Sequence, residues 1–124
     1  MKNRQLALLV ITVLLGFSLA SFGAEKFSGD IMDSSCAMMG SHAKMEAMHH
    51  MPASSALTGK AAKMCTLQCV KMGGHFVLYN PSTKKTYKLD PESDAQAYAG
   101  ERVSVTGTLN GDTIQVEKIS KRSL

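Results

Sequence analysis

Tryptophan is absent from the 124-residue chain, and proline and cysteine occur only three times each. So little proline beside ten glycines excludes a collagen-like repeat. Acidic residues number ten against 14 basic ones, which excludes a disordered acidic tail. Long apolar runs are also lacking, apart from one near the start, so a multi-span membrane protein is excluded. An odd number of cysteines leaves at least one thiol without a partner inside the chain. At this length the chain holds one domain. Against these absences stand nine methionines and four histidines.

The apolar run occupies residues 6–20, behind Lys2 and Arg4. It is short for a spanning helix, which needs about 20 apolar residues. Small residues follow it, placing Ser18 and Ala20, or Ser21 and Gly23, at the two positions a signal peptidase reads. A basic start, an apolar centre and a small-residue cut predict a secretory leader over residues 1–23, cleaved after Ala20 or Gly23. Removing Lys2 and Arg4 from the 14 basic side chains leaves 12 against 10 acidic ones in residues 24–124. The expected mature chain is therefore near neutral, periplasmic or secreted, and not inserted in a membrane. Its short basic end (Lys118, Lys121, Arg122) is no clustered basic face, so nucleic acid is not an expected partner.

Residues 24–124 read as one β-rich domain. Val103, Val105, Gly107 and Leu109 alternate on one face of a predicted strand, and Asn110-Gly111 signals a two-residue turn. The return strand places Ile114 and Val116 inward; Ile119 breaks that parity, which predicts a bulge or strand end near Glu117 and Lys118. A second hairpin joins residues 75–79 to 85–89 through Asn80-Pro81-Ser82-Thr83. Asp90-Pro91-Glu92 predicts a capped short helix reaching about Tyr98 and ended by Gly100. One further strand is expected over residues 26–32, and a helix over 60–72 stopped by Gly73-Gly74. Residues 37–60, with small residues and Pro52, are expected to form a mobile Met/His-rich loop. Five strands with a helix before the fourth match the small Greek-key barrel called the OB-fold. The cysteine-rich helical insertion then falls between strands 1 and 2.

That insertion carries the chemistry. Cys36, Met38, Met39, His42, Met45, Met48, His49, His50 and Met51 give nine sulfur or imidazole donors in 16 positions, with Cys65 and Cys69 following on the predicted helix. Thiolate, thioether and imidazole suit copper(I) and, in part, zinc; magnesium and calcium take oxygen donors. Methionines at helical spacing also serve as packing surface. The expected metal set is Cys36, Cys65 and Cys69 with His42, Met48, His49, His50 and Met51 as further donors. Cys65 and Cys69 stand i, i+4, with Cβ atoms roughly 5–6 Å apart, where a disulfide needs about 3.8 Å. Two arrangements remain open: Cys36 bridges to one of them and leaves a free thiol, or all three converge on one metal ion.

Gly29-Asp-Ile-Met-Asp-Ser-Ser-Cys36, Cys65-Thr-Leu-Gln-Cys-Val-Lys-Met-Gly-Gly74, Phe76-Val-Leu-Tyr79 and Gly100-Glu-Arg-Val-Ser-Val-Thr-Gly-Thr-Leu109 together resemble a family of small secreted bacterial OB-like domains of unknown function. Its pattern is a Gly-x-Ile-x-Asp-Ser-x-Cys opening and a Cys-x-x-x-Cys helix ending in glycine. The likeness covers most of residues 27–119; the 37–60 loop departs from it in length and methionine content. The resemblance implies that Cys36, Cys65 and Cys69 form one local site. The expected function is soft-metal binding by a secreted module, with a disulfide-pinned structural or protein-interaction domain as the alternative. No enzyme is expected: no Ser-His-Asp order stands out, Asp30, Asp33 and Glu46 show no paired spacing, and Cys-x-x-x-Cys is not the Cys-x-x-Cys of thiol oxidoreductases.

Overall fold

The computed structural model describes residues 23–39 and 58–123. The expected leader and most of the Met/His-rich loop lie outside these residues. Five strands, β1 (Glu25–Asp33), β2 (Phe76–Asn80), β3 (Lys85–Asp90), β4 (Arg102–Asn110) and β5 (Thr113–Lys121), close into a barrel in the order β1-β2-β3-β5-β4. All neighbours run antiparallel except β3 and β5, which pair in parallel from Lys88↔Thr113 to Asp90↔Gln115. Among the described residues two helices, α1 (Ser34–Met39) and α2 (Lys60–Lys71), lie between β1 and β2 in the sequence, and a 3-10 helix (Glu92–Tyr98) lies between β3 and β4. This is the small OB-like barrel with a helical insertion between its first two strands. Among the described residues no helix is long and apolar enough to cross a membrane.

Strand alternation divides the apolar residues into two clusters. Ile31, Phe76, Leu78, Leu89, Val103, Val105, Ile114 and Ile119 fill the barrel, closed at one side by Ala95 and Ala99. The residues between them on the same strands, Met32, Val77 and Tyr79, form a second cluster with Cys36, Ala37 and Cys65. Met32 stands opposite Val77, just as Ile31 stands opposite Leu78. Because successive side chains point to opposite faces, the second cluster lies on the outside of the β1–β2 wall, where α1 and α2 cover it. This explains why four of the five residues of β2 are buried.

The β4–β5 hairpin contains the expected bulge. Thr106 pairs with Lys118 and Gly107 with Val116, so Glu117 is the extra residue, and Ile119 returns to the interior opposite Val105. Two details differ from the sequence reading. Asn110 pairs with Thr113, so the turn is Gly111-Asp112, with positive φ at Gly111 alone; a turn with glycine first needs only that one. Leu109, expected inside, is 40% exposed. The β1 ladder on β4 ends at Glu25↔Gly107, so Leu109 extends past the wall that would cover it. The second hairpin turns as expected, with Asn80 Oδ1 accepting from the Ser82 and Thr83 amides at 2.9 and 3.2 Å.

The helix after β3 also needs correction. Asp90 is the last residue of β3, paired with Gln115, and caps nothing; Pro91 flanks a 3-10 rather than an α-helix, with no side-chain cap. Gly100 follows it at φ +70° and touches α2, where a Cβ would fall 2.3 Å from the Lys63 amide nitrogen. The Gly59 amide donates to the Gly100 carbonyl at 2.9 Å, which fixes the start of α2 on the barrel.

Candidate metal centre

Cys36 is positioned by the end of β1. Asp33 Oδ2 accepts hydrogen bonds from the amides of Ser35 (2.8 Å) and Cys36 (3.3 Å), capping α1. A second tie holds the same turn to β2: the Ser34 amide donates to the His75 carbonyl at 2.9 Å, and the His75 amide donates to Ser34 Oγ at 3.2 Å. Asp-Ser-Ser ahead of a short helix is a capping signature. The sequence places Asp33 in the Gly29–Cys36 opening and among carboxylates without paired spacing, but its role as a cap is a finding of the structure.

Cys65 and Cys69 are positioned by α2. Its end is a Schellman closure: the Gly73 amide donates to Val70 and the Gly74 amide to Cys69, both at 3.1 Å, with Gly73 at φ +104°. Gly74 then passes so close to Asp33 that a Cβ would fall 1.9 Å from Oδ1. The two glycines therefore end the helix and bring Asp33, the cap of α1, against the end of α2. Opposite ends of the insertion meet at this contact.

The result is a triad. The sulfurs of Cys36, Cys65 and Cys69 all lie within 4.8 Å of one another, with Cys36 and Cys65 4.0 Å apart. None is joined to another; Cys36 and Cys65 are buried and Cys69 is half-buried. A metal held about 2.3 Å from each sulfur spaces neighbouring sulfurs by roughly 3.8 Å in a tetrahedral shell. The triad is close to the separations of ligands converging on one ion, and it could hold a metal. His42, His49, His50, Met48 and Met51, the other expected donors, lie outside the described residues. Met38 is described and points away, 83% exposed on α1.

Burial and crowding keep Cys36 and Cys69 protonated in the metal-free protein. Burial raises Cys36 far above an ordinary thiol, and the neighbouring Cys65, Cys69 and Asp33 add to it. Cys69 is pushed up to about 11, again by burial first and then by Cys65 and Asp33. Three thiolates beside a carboxylate repel one another, and a bound cation is what relieves this. Asp33 Oδ1 is buried without a hydrogen-bond partner, as are Asp30 Oδ2 and Thr66 Oγ1. Asp30 is fully buried on β1 and accepts from Arg102 Nε at 3.0 Å.

Residues 70–122 match a family model described as a protein of unknown function (DUF5818). The matched span runs from the last turn of α2 through β5, and Cys36, Cys65 and Cys69 lie outside it. No curated protein and no solved structure matches the chain.

Proposed function

We propose that this is an exported binding module in which Cys36, Cys65 and Cys69 hold one soft metal ion, zinc or copper(I). One donor among His42, Met48, His49, His50 and Met51 completes the shell. The observation that carries this reading is the convergence of three unlinked sulfurs from two helices within 4.8 Å of one another. A thiol pair needs only two groups, and a third within 4.8 Å of both is what a metal shell uses. The leader pattern at residues 1–23 supports export, and the near-neutral balance of residues 24–124 argues against nucleic acid. A binding role is in keeping with the carboxylates on β1, Asp30 being taken up by Arg102 and Asp33 by the cap of α1.

The test is metal analysis of the mature protein taken from its native compartment, paired with thiol counting after denaturation. The expected result is about one metal per chain with three free thiols. Absence of metal with a single free thiol, and no uptake of zinc or copper(I) after reduction, overturns the reading in favour of a disulfide-pinned module. The paired substitution His49→Ala and His50→Ala is expected to weaken metal affinity. Unchanged affinity removes both histidines from the shell.

A further inference from the structure

We infer that the sulfur triad is also a thiol–disulfide switch. Cys36 and Cys65 are the pair that joins, Cys69 is where exchange begins, and closure of the bridge ejects the metal. Only the ejection rests on the metal-binding reading; the pairing and its order rest on the geometry.

The choice of pair follows from where each cysteine stands. Cys65 and Cys69 share one helix at i, i+4, which holds their Cβ atoms roughly 5–6 Å apart, beyond the roughly 3.8 Å of a disulfide. Joining them would unwind the last turns of α2, against the Schellman closure. Cys36 and Cys65 belong to different helices, and their sulfurs are already 4.0 Å apart. Their approach to about 2.05 Å requires side-chain rotation and a small shift of the six-residue α1.

The order follows from access. Cys36 is fully buried and Cys65 is 5% exposed, whereas Cys69 is half-buried on the last turn of α2. An external reagent therefore meets Cys69 first. With a small-molecule disulfide RSSR as oxidant, the Cys69 thiolate attacks one sulfur, forming Cys69–S–S–R and releasing RS⁻. The Cys36 thiolate attacks Cys69 Sγ, forming a Cys36–Cys69 bridge and releasing the second RS⁻. The Cys65 thiolate then attacks Cys36 Sγ and displaces the Cys69 thiolate, leaving the Cys36–Cys65 bridge. Two protein thiols lose two electrons and two protons, and two RSH are formed. The mutual separations within 4.8 Å allow each transfer without global unfolding. Since thiolate and not disulfide sulfur is the metal ligand, the ion loses two of its four ligands, keeps Cys69 and the fourth donor, and leaves.

The experiment uses the mature chain, reduced, metal-free or loaded with zinc, and oxidised glutathione as the disulfide. Free thiols are alkylated and bridges mapped by mass spectrometry, while a chromophoric chelator records zinc release. The expected product is a Cys36–Cys65 bridge with Cys69 alkylated, and one zinc released per bridge. In metal-free Cys69→Ser, the same bridge is expected to form about ten-fold more slowly. A majority product containing Cys69, or oxidation of Cys69→Ser at the parent rate, overturns the pairing or its order. Zinc retained after the bridge forms overturns the ejection. A reduced chain that takes up neither zinc nor copper(I) overturns the metal reading and the ejection with it. In that case the bridge map of the unsubstituted protein still decides the pairing.

Discussion

At the residue scale, two buried carboxylates on one strand have separate structural tasks. Asp30 is fully buried and answered by Arg102 Nε. Arg102→Ala is expected to leave an uncompensated buried charge and to cost about 3–5 kcal/mol. Urea denaturation checks this, and a loss below about 1 kcal/mol would mean that water already reaches Asp30. Asp33 caps α1, so Asp33→Ala should cost about 1 kcal/mol and Asp33→Asn much less, because asparagine also caps. Equal losses for the two variants would show that the charge, and not the cap, is what matters. The thiols add a pH dependence. An unfolded cysteine ionises near 9.0, while folded Cys69 is held at about 11 and Cys36 higher still. Between these values the unfolded chain releases protons that the folded chain keeps, so stability is full below about pH 9 and falls as pH rises through 11. In the reduced, metal-free protein the urea midpoint is expected to fall over that window. The triple serine variant should show a shallower decline.

At the scale of elements, the β4–β5 hairpin shows what a sequence reveals and what it conceals. Parity is local, so the displacement of Ile119 from the Ile114–Val116 face located the bulge that Glu117 forms. The fate of Leu109 depends on where β1 stops, and β1 lies more than 70 residues away in the chain. No local pattern carries that information. The parallel β3–β5 pairing that closes the barrel was equally hidden except through fold analogy, since it joins strands that are not consecutive. The cysteine site was half legible. Residue type announced all three cysteines, the i, i+4 spacing paired Cys65 with Cys69, and Gly73-Gly74 marked the end of α2, whereas the Asp33–Gly74 contact that brings Cys36 to them is tertiary. The directly opposed pair Leu109 and Ile114 gives the measurement. Ile114→Ala is expected to cost about 2–5 kcal/mol and Leu109→Ala well under half of that. Equal losses would place Leu109 in the core after all.

At the scale of the whole molecule, the metal is expected to act on stability without being needed for the barrel. The interior cluster contains none of the three cysteines. Chelation should therefore lower the thermal midpoint while the β-sheet circular dichroism stays in place at room temperature. At a free metal concentration of about 100 times Kd, the stabilisation expected is about 2.7 kcal/mol. Loss of the sheet signal on chelation would show that the insertion and the barrel fold as one unit.

The two apolar clusters lie on opposite faces of the β1–β2 wall, where Ile31 and Met32 face opposite ways one residue apart, and α2 touches both, with Cys65 and Cys69 on the outer cluster and Leu67 and Val70 against the interior one. Strand substitutions in one cluster should therefore combine more nearly additively with strand substitutions in the other than with changes in α2, because groups without shared contacts couple weakly. Selection on the sulfur layer is then largely uncoupled from selection on the barrel interior. The same five strands can keep their packing while the outer layer changes its donors, its loop length or its chemistry.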